Sequence, residues 1–321
     1  MSVTGKDSHL TKIAVVGAGL MGHSLAITFA MGGHDVTLHD VYPSAIDSAR
    51  SLIASSLDVL EEAGLCTPER KTNILEHSIT FTNNLERVSA SGIIIEAVPE
   101  STEVKRELFS RLHQLLPPET LIASNTSFMN IFELIPAERR KNTVITHWYS
   151  PPHIIDLIEI VAGPETSPNT VSVVKALLES LGKKPIVLTK FLSGFIANRL
   201  QAALNLEVYS LLDSGYATAE EIDAAVIHGL ALRMPLLGLL KKADFAGLLL
   251  VQRTLANRSY DPPVVRGRSE VLDDLVSRGR TGVMSGGGFY DYGDRTPEEW
   301  FRDRDRKLLA LKRFLHELGE I

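Results

Sequence analysis

Residues 12–40 read KIAVVGAGLMGHSLAITFAMGGHDVTLHD, and the order of events within them decides the fold. A β-branched run, Ile13–Val16, leads into a glycine triplet. A helical pattern over Met21–Met31 follows, and a second short run, Val36–Leu38, stops at an acid, Asp40. Gly17, Gly19 and Gly22 spell G-x-G-x-x-G, which alone says little because glycine-rich turns are common. Here the triplet lies between a strand and a helix, with the acid 18 residues beyond Gly22 at the end of the next strand, and that context makes it a dinucleotide-binding fingerprint. The first glycine permits the tight turn, the second lets backbone approach a pyrophosphate, and the third lets helix pack closely on strand. Unpaired N–H groups at the helix start would face the phosphates. Asp40 would accept hydrogen bonds from the adenosine ribose and repel a 2′-phosphate, which favours NAD over NADP. A methyltransferase also carries an acid after its second strand, and a purely structural strand–turn–helix is the other competing reading.

Working outward, the alternation continues. Further strand-like runs lie at Ile79–Thr82, Ile93–Val98, Leu121–Ala123, Val144–Trp148, Leu157–Val161 and Ile186–Leu188, with helical patterns at Pro43–Ala63, Val104–Leu115 and Thr170–Leu181. Such a pattern predicts a sheet that is parallel at least in its early strands and covered by helices. After Thr189 the strand runs stop, and helical periodicity dominates over Phe195–Ser214, Ala219–His228 and Trp300–Leu318. The expected organisation is an α/β Rossmann-type NAD-binding domain over residues 1–190 and an all-α helical domain over 191–321. The last helix, with alternating charges and leucines at helical spacing, reads as a surface helix.

Composition narrows the function. The chain has 321 residues, a net charge of -6 and 44% hydrophobic residues, a balance that argues against nucleic-acid binding, which needs a concentrated basic surface. Cys66 stands alone, so neither a disulfide framework nor a thiolate metal cluster is expected, in keeping with a reducing, cytoplasmic setting. Residues 1–10 lack the apolar core of a secretory leader. The apolar stretch Gly229–Val251 is interrupted by Arg233, Pro235, Lys241, Lys242 and Asp244, which argues against a membrane span.

Oxidising an alcohol with NAD needs an acceptor for the hydroxyl proton, and histidine suits that task near neutral pH. Of ten histidines, His147 stands where the run VITHW emerges into a proline-closed loop. Twelve residues on, Glu159 interrupts the apolar run DLIEIV, a costly place for a charge without a partner. A base and an orienting carboxylate is one reading of the two; a core histidine and an unrelated salt bridge is the other.

The motifs VVGAGLMG, EAVPE, SNTS, THWYSPP with DLIEIV, GFIANRL and GGGFYDY occur in the order found in the 3-hydroxyacyl-CoA dehydrogenase family, which the chain resembles over nearly its whole length. The resemblance implies an NAD-dependent interconversion of L-3-hydroxyacyl and 3-oxoacyl thioesters, with a helical domain that mediates homodimerisation and no metal. It makes His147 the general acid/base and Glu159 its orienting partner. Ser127 and, from the helical domain, Asn198 would hydrogen-bond the reacting oxygen. Glu100, Lys105 and Asn125 would lie beside the cofactor, as would Leu20 and Met21 of the glycine loop, and Ser56 near the long arm of the thioester. Taken without the resemblance, Ser127 reads equally as a helix cap, Asn198 as a backbone partner, and Lys105 as a solvated surface lysine. The triple glycine Gly286–Gly288 reads as a structural turn.

Three departures bear on substrate. Ser150 stands where the family's H-x-x-N-P has asparagine. Gly238, Leu239, Leu240 and Lys241 replace G-P-[FL]-E, and a lysine common near Ala63 is absent from LEEAG. Losing a cation weakens a coenzyme A handle, whereas relatives of the gulonate dehydrogenase and lambda-crystallin branch, resembled in LEEAG and GLALR, take free hydroxy acids. In such an enzyme Arg233 would pair with a carboxylate. GGGFYDY favours the thioester branch, and the balance tips slightly that way. A non-catalytic, crystallin-like NAD-binding protein is the rival of another class.

Overall fold

The computed structural model describes residues 10–257 and 260–319, so most of the stretch examined for a leader lies outside the described residues. The chain divides into two compact units, Met1–Asn198 and Arg199–Ile321.

The first unit is an eight-stranded sheet: β1 Lys12–Val16, β2 Asp35–His39, β3 Ile79–Thr82, β4 Ile93–Glu96, β5 Leu121–Ser124, β6 Thr143–Trp148, β7 Leu157–Ala162 and β8 Lys184–Leu188, in the order β3-β2-β1-β4-β5-β6-β7-β8. All eight expected strands are present. Pairings from β3 through β6 are parallel, as the alternation with helices requires; β7 runs antiparallel to β6, and β8 parallel to β7. The chain leaves β1 toward β2 on one side and returns to β4 on the other, so a crevice opens beyond the carboxyl ends of β1 and β4. Ligands of open α/β sheets bind at such a reversal.

The helices of this unit are α1 Gly22–Met31, α2 Pro43–Glu62, α3 Pro68–Asn73, α4 Thr102–Leu115 and α5 Pro168–Ser180. Side chains alternate across each strand. Ala14, Val16, Ile94, Ile122, Ile145 and Val161 pack with Leu108, Phe109 and Leu112 of α4 in one buried cluster. Residues of the other parity face α1, whose residues Gly22–Ala30 are all buried; Phe29 meets Trp148 edge to face at 5.7 Å.

The second unit is helical among its described residues: α6 Ala197–Asp213, whose first two residues belong to the first unit, then α7 Ala219–Ala225, continued by a π-helical stretch Val226–Ala231, α8 Met234–Leu237, α9 Leu240–Ala246, α10 Leu248–Ala256, α11 Glu270–Ser277 and α12 Pro297–Glu317. The apolar stretch 229–251 is thus cut into short helices. Its breaks fall at Leu232–Arg233, one of the charges, and at Gly238 and Gly247, both at positive φ. No single helix among the described residues is long and apolar enough to cross a membrane. The glycine-rich turn at 286–288 is held by Arg280, whose guanidinium donates to the carbonyls of Gly288 and Tyr290, so its role is structural. At α12, Thr296 and Glu299 form a reciprocal capping box.

Candidate active site

Three glycines close the β1–α1 turn, and each is required differently. At Gly17, with φ of 104°, a Cβ would lie 2.5 Å from the Ala97 carbonyl oxygen; at Gly22 it would lie 1.7 Å from that of Gly17. At Gly19 it would meet nothing within 4 Å. The outer two are therefore needed by the fold. The middle one faces open space, the cradle a pyrophosphate needs, so the residues present fit a dinucleotide. Leu20 is 65% exposed beside it. Asp40 accepts from the main-chain N–H of Ala18 at 2.8 Å and of Tyr42 at 3.0 Å. These bonds bind the end of β2 to the glycine loop and leave carboxylate lone pairs for a ribose.

Beyond β4 lies a cluster the sequence disclosed only in part. Glu96, fully buried at the strand end, accepts from Lys105 Nζ at 2.6 Å, Ser124 Oγ at 2.5 Å and Val98 N–H at 2.9 Å. Lys105, 1% exposed, also lies 3.5 Å from Glu100. Its reading as a solvated lysine is overturned: α4 turns that position inward, and two carboxylates compensate the buried ammonium. Glu100 accepts from Thr126 Oγ1 and from Ser127 N–H. The capping reading of Ser127 also fails, because Thr126 supplies the acceptor for Met129 N–H and only a 3-10 turn, Ile131–Glu133, follows. Among the described residues no hydrogen bond engages the Ser127 hydroxyl. Glu96 and Thr126 escaped sequence reasoning, although an acid ending the apolar run IIIE was a signal.

The pairing of β6 with β7 sets His147 directly opposite Glu159. Residues opposite one another in an antiparallel pair share a face with Cβ atoms roughly 5 Å apart, so the spacing of twelve resolves into a contact: His147 Nδ1 and Glu159 Oε2 are 2.9 Å apart, both buried. Glu159 has no solvent exposure and accepts three further bonds, from Tyr149 Oη at 2.6 Å and from the N–H groups of Ile196 at 2.8 Å and Ala197 at 3.1 Å. Those N–H groups open α6, where helical partners are missing and the helix dipole favours an anion. The chain reaches them through Gly194 and through Phe195, a non-glycine residue held at φ of 51° and fully buried against the His147 ring at 5.1 Å. Burial would raise the Glu159 pKa, but the bonds from His147, Tyr149 and the two N–H groups outweigh it and hold the carboxyl below the usual range. An ionised Glu159 makes Nδ1 the donor and leaves Nε2 with a lone pair.

Asn198, on the first turn of α6, lies with Nδ2 3.4 Å from His147 Nε2 and 3.4 Å from the Ser127 carbonyl oxygen. His147, Glu159, Asn198 and Ser127 therefore converge, and Asn125 tethers them by accepting from Trp148 N–H at 3.0 Å. Ser56 sits half-buried on α2 with no hydrogen bond toward this cluster. Arg233 belongs to the second unit, where it is exposed with Nε on the Gly229 carbonyl. Ser150 is exposed and forms no hydrogen bond with His147.

Comparison with known proteins places these features in context. Residues 12–191 match the model of the 3-hydroxyacyl-CoA dehydrogenase NAD-binding domain, and residues 194–292 that of the 3-hydroxyacyl-CoA dehydrogenase C-terminal domain. A 5-formyl-3-hydroxy-2-methylpyridine 4-carboxylate 5-dehydrogenase from Mesorhizobium japonicum is 31% identical, over 95% of this chain and 98% of its own. A probable 3-hydroxybutyryl-CoA dehydrogenase from Deinococcus radiodurans is 33% identical, over 88% of this chain and all of its own. Among solved structures, that of a 5-formyl-3-hydroxy-2-methylpyridine 4-carboxylic acid 5-dehydrogenase, an NAD+-dependent dismutase, superposes with a TM-score of 0.85 at 30% identity, covering 96% of this chain and 99% of that one.

Proposed function

The chain belongs to the 3-hydroxyacyl-CoA dehydrogenase family of NAD-dependent oxidoreductases acting on CH–OH groups, and from that premise we propose that it oxidises the hydroxyl of a small free hydroxy acid, with His147 as general base. The observation that carries the chemistry is the clamp on His147: Nδ1 donates to a buried carboxylate at 2.9 Å, so Nε2 is the nitrogen able to take a proton. NAD, when bound, supplies the hydride acceptor. Glu159 orients the imidazole and stabilises it as it becomes charged. The Ser127 hydroxyl and the Asn198 amide hold the substrate oxygen, and in reverse His147 returns the proton. Glu100 and Lys105 border the cofactor side, with Glu100 also holding the main chain of Ser127.

The choice of free acid over thioester rests on the cations of α2 and α3. Arg50 lies 3.8 Å over the Phe81 ring, Arg70 donates to the Met31 carbonyl, and Lys71 is bound by Asp58 at 2.5 Å and Glu61 at 2.8 Å. All of the lysines and arginines on these two helices are thus already engaged, a poor provision for the phosphates of coenzyme A. The pyridine-carboxylate relative aligned across nearly the whole chain supports the same reading. A 3-hydroxyacyl-CoA thioester is the second reading, favoured by the 3-hydroxybutyryl-CoA dehydrogenase relatives. Initial rates of NADH formation with 3-hydroxybutyrate, gulonate, a hydroxymethylpyridine carboxylate and 3-hydroxybutyryl-CoA decide between them. A free acid with at least tenfold higher kcat/KM supports the proposal; the reverse order overturns it. His147→Gln is expected to keep NAD affinity within about twofold while turnover falls by roughly 10² to 10⁴, and full turnover refutes the acid/base role. The exposed leucines of the second unit further support a homodimer, and the lone Cys66 a cytoplasmic address.

A further inference from the structure

Tyr149 entered none of the sequence reasoning, yet its phenol shares an oxygen of Glu159 with the catalytic imidazole. The cause is local: His147 and Tyr149, two apart where β6 ends, fall on one face, and Glu159 is opposite the first and diagonal to the second. Tyr149 Oη donates to Glu159 Oε2 at 2.6 Å, the atom that accepts His147 Nδ1–H at 2.9 Å, and the two rings meet edge to face at 4.5 Å.

Resting on the reading of His147 as the base, we propose that Tyr149 is a positioning residue that sets the pH range in which His147 works. A carboxylate oxygen that accepts two donors has less charge to offer each. With Tyr149 in place, Glu159 supports the imidazolium less strongly. Without the phenol, Oε2 serves His147 alone, and the charged ring is favoured. Tyr149 itself does not titrate in the working range, because burial and the adjacent carboxylate push its phenol far up. Among the described residues, Glu159 and Tyr149 are the ionisable groups in hydrogen-bond or ring contact with His147. Glu96 at the end of β4, Glu100 after it and Lys105 on α4 form a neighbouring cluster joined to this one through the main chain of Ser127, with no hydrogen bond to the phenol. Asn198 and Phe195, the other neighbours of the ring, are uncharged.

The test is the pH dependence of kcat/KM for alcohol oxidation in the wild type, in Tyr149→Phe, and in the protein carrying 3-fluorotyrosine at position 149. Phenylalanine keeps the ring and removes the donor, so the acidic limb is expected to move up by about one pH unit; fluorotyrosine, a stronger donor of nearly the same size, is expected to move it down. Limbs that stay in place in both variants, with any rate loss uniform across pH, overturn the proposal. Should Tyr149→Phe fail to fold, judged by its melting curve, the fluorinated protein alone decides. His147→Gln assayed alongside separates the layers. Wild-type turnover in that variant rejects the base assignment itself, whereas an inactive His147→Gln with unmoved limbs rejects only the part given to Tyr149.

Discussion

At the residue scale, Glu159 shows how a carboxylate with no solvent contact stays ionised: four donors, from His147, Tyr149, Ile196 and Ala197, stand in for water. Its pKa is depressed, so the stability it contributes is fully present above the ordinary carboxylate range near 4.3 and is lost as pH falls through the lower, folded value. Glu159→Gln keeps the shape but turns an acceptor into a donor facing donors, which costs about 2–4 kcal/mol. Thermal melts should therefore show a gap between wild type and variant at pH 7 that narrows as pH drops from 5 to 3; a constant gap refutes the ionised clamp. Turnover of the same variant should fall by at least about a hundredfold, since the imidazole loses its orienting acceptor. His147 and Glu159 were legible because a polar residue in a β-branched strand carries a cost that calls for a partner. Glu96 ends its run as plainly and was missed; its partners, Lys105 and Ser124, lie 9 and 28 residues away on other elements.

At the element scale, the β1–α1 turn separates what the fold needs from what the cofactor needs. Gly22→Ala drives a methyl into the Gly17 carbonyl at 1.7 Å, backbone against backbone, and is expected to destabilise the first unit by about 3 kcal/mol or more, read as a lowered Tm. Gly19→Ala meets no atom within 4 Å and should leave Tm unchanged while weakening NAD binding at least tenfold in fluorescence titration. If both variants lose stability alike, the middle glycine is structural too. Strands were legible to within about two residues because β-branched runs mark them directly. The short helices Met234–Leu237, Leu240–Ala246 and Leu248–Ala256 were not, since each is too brief to display a period of its own.

At the scale of the whole molecule, the second unit is unusual for what it leaves uncovered. α6, α8, α9, α10 and α11 contain no buried residue, and Leu240, Phe245 and Leu255 are 84%, 76% and 76% exposed. Apolar helical surface on this scale marks an interface. A second copy of the chain is the expected cover, as closed twofold assembly is the commonest solution. Light scattering should give twice the 35.2 kDa chain mass, and Phe245→Glu combined with Leu249→Glu should yield a monomer; a monomeric wild type rejects the homodimer.

The sequence by itself determined the α/β-then-helical order, the eight strands and the NAD loop, because these rest on local patterning: period-two and period-3.6 hydrophobicity, and glycines where backbone meets backbone. Only the tertiary structure decided between a paired His147 and Glu159 and two unrelated polar residues, and showed what else reaches that carboxylate. That β7 turns back antiparallel on β6, setting Glu159 against His147 and bringing Tyr149 and the start of α6 to the same carboxylate, depends on strand pairing and chain reversal. These are choices of long-range packing that no window of neighbouring residues contains.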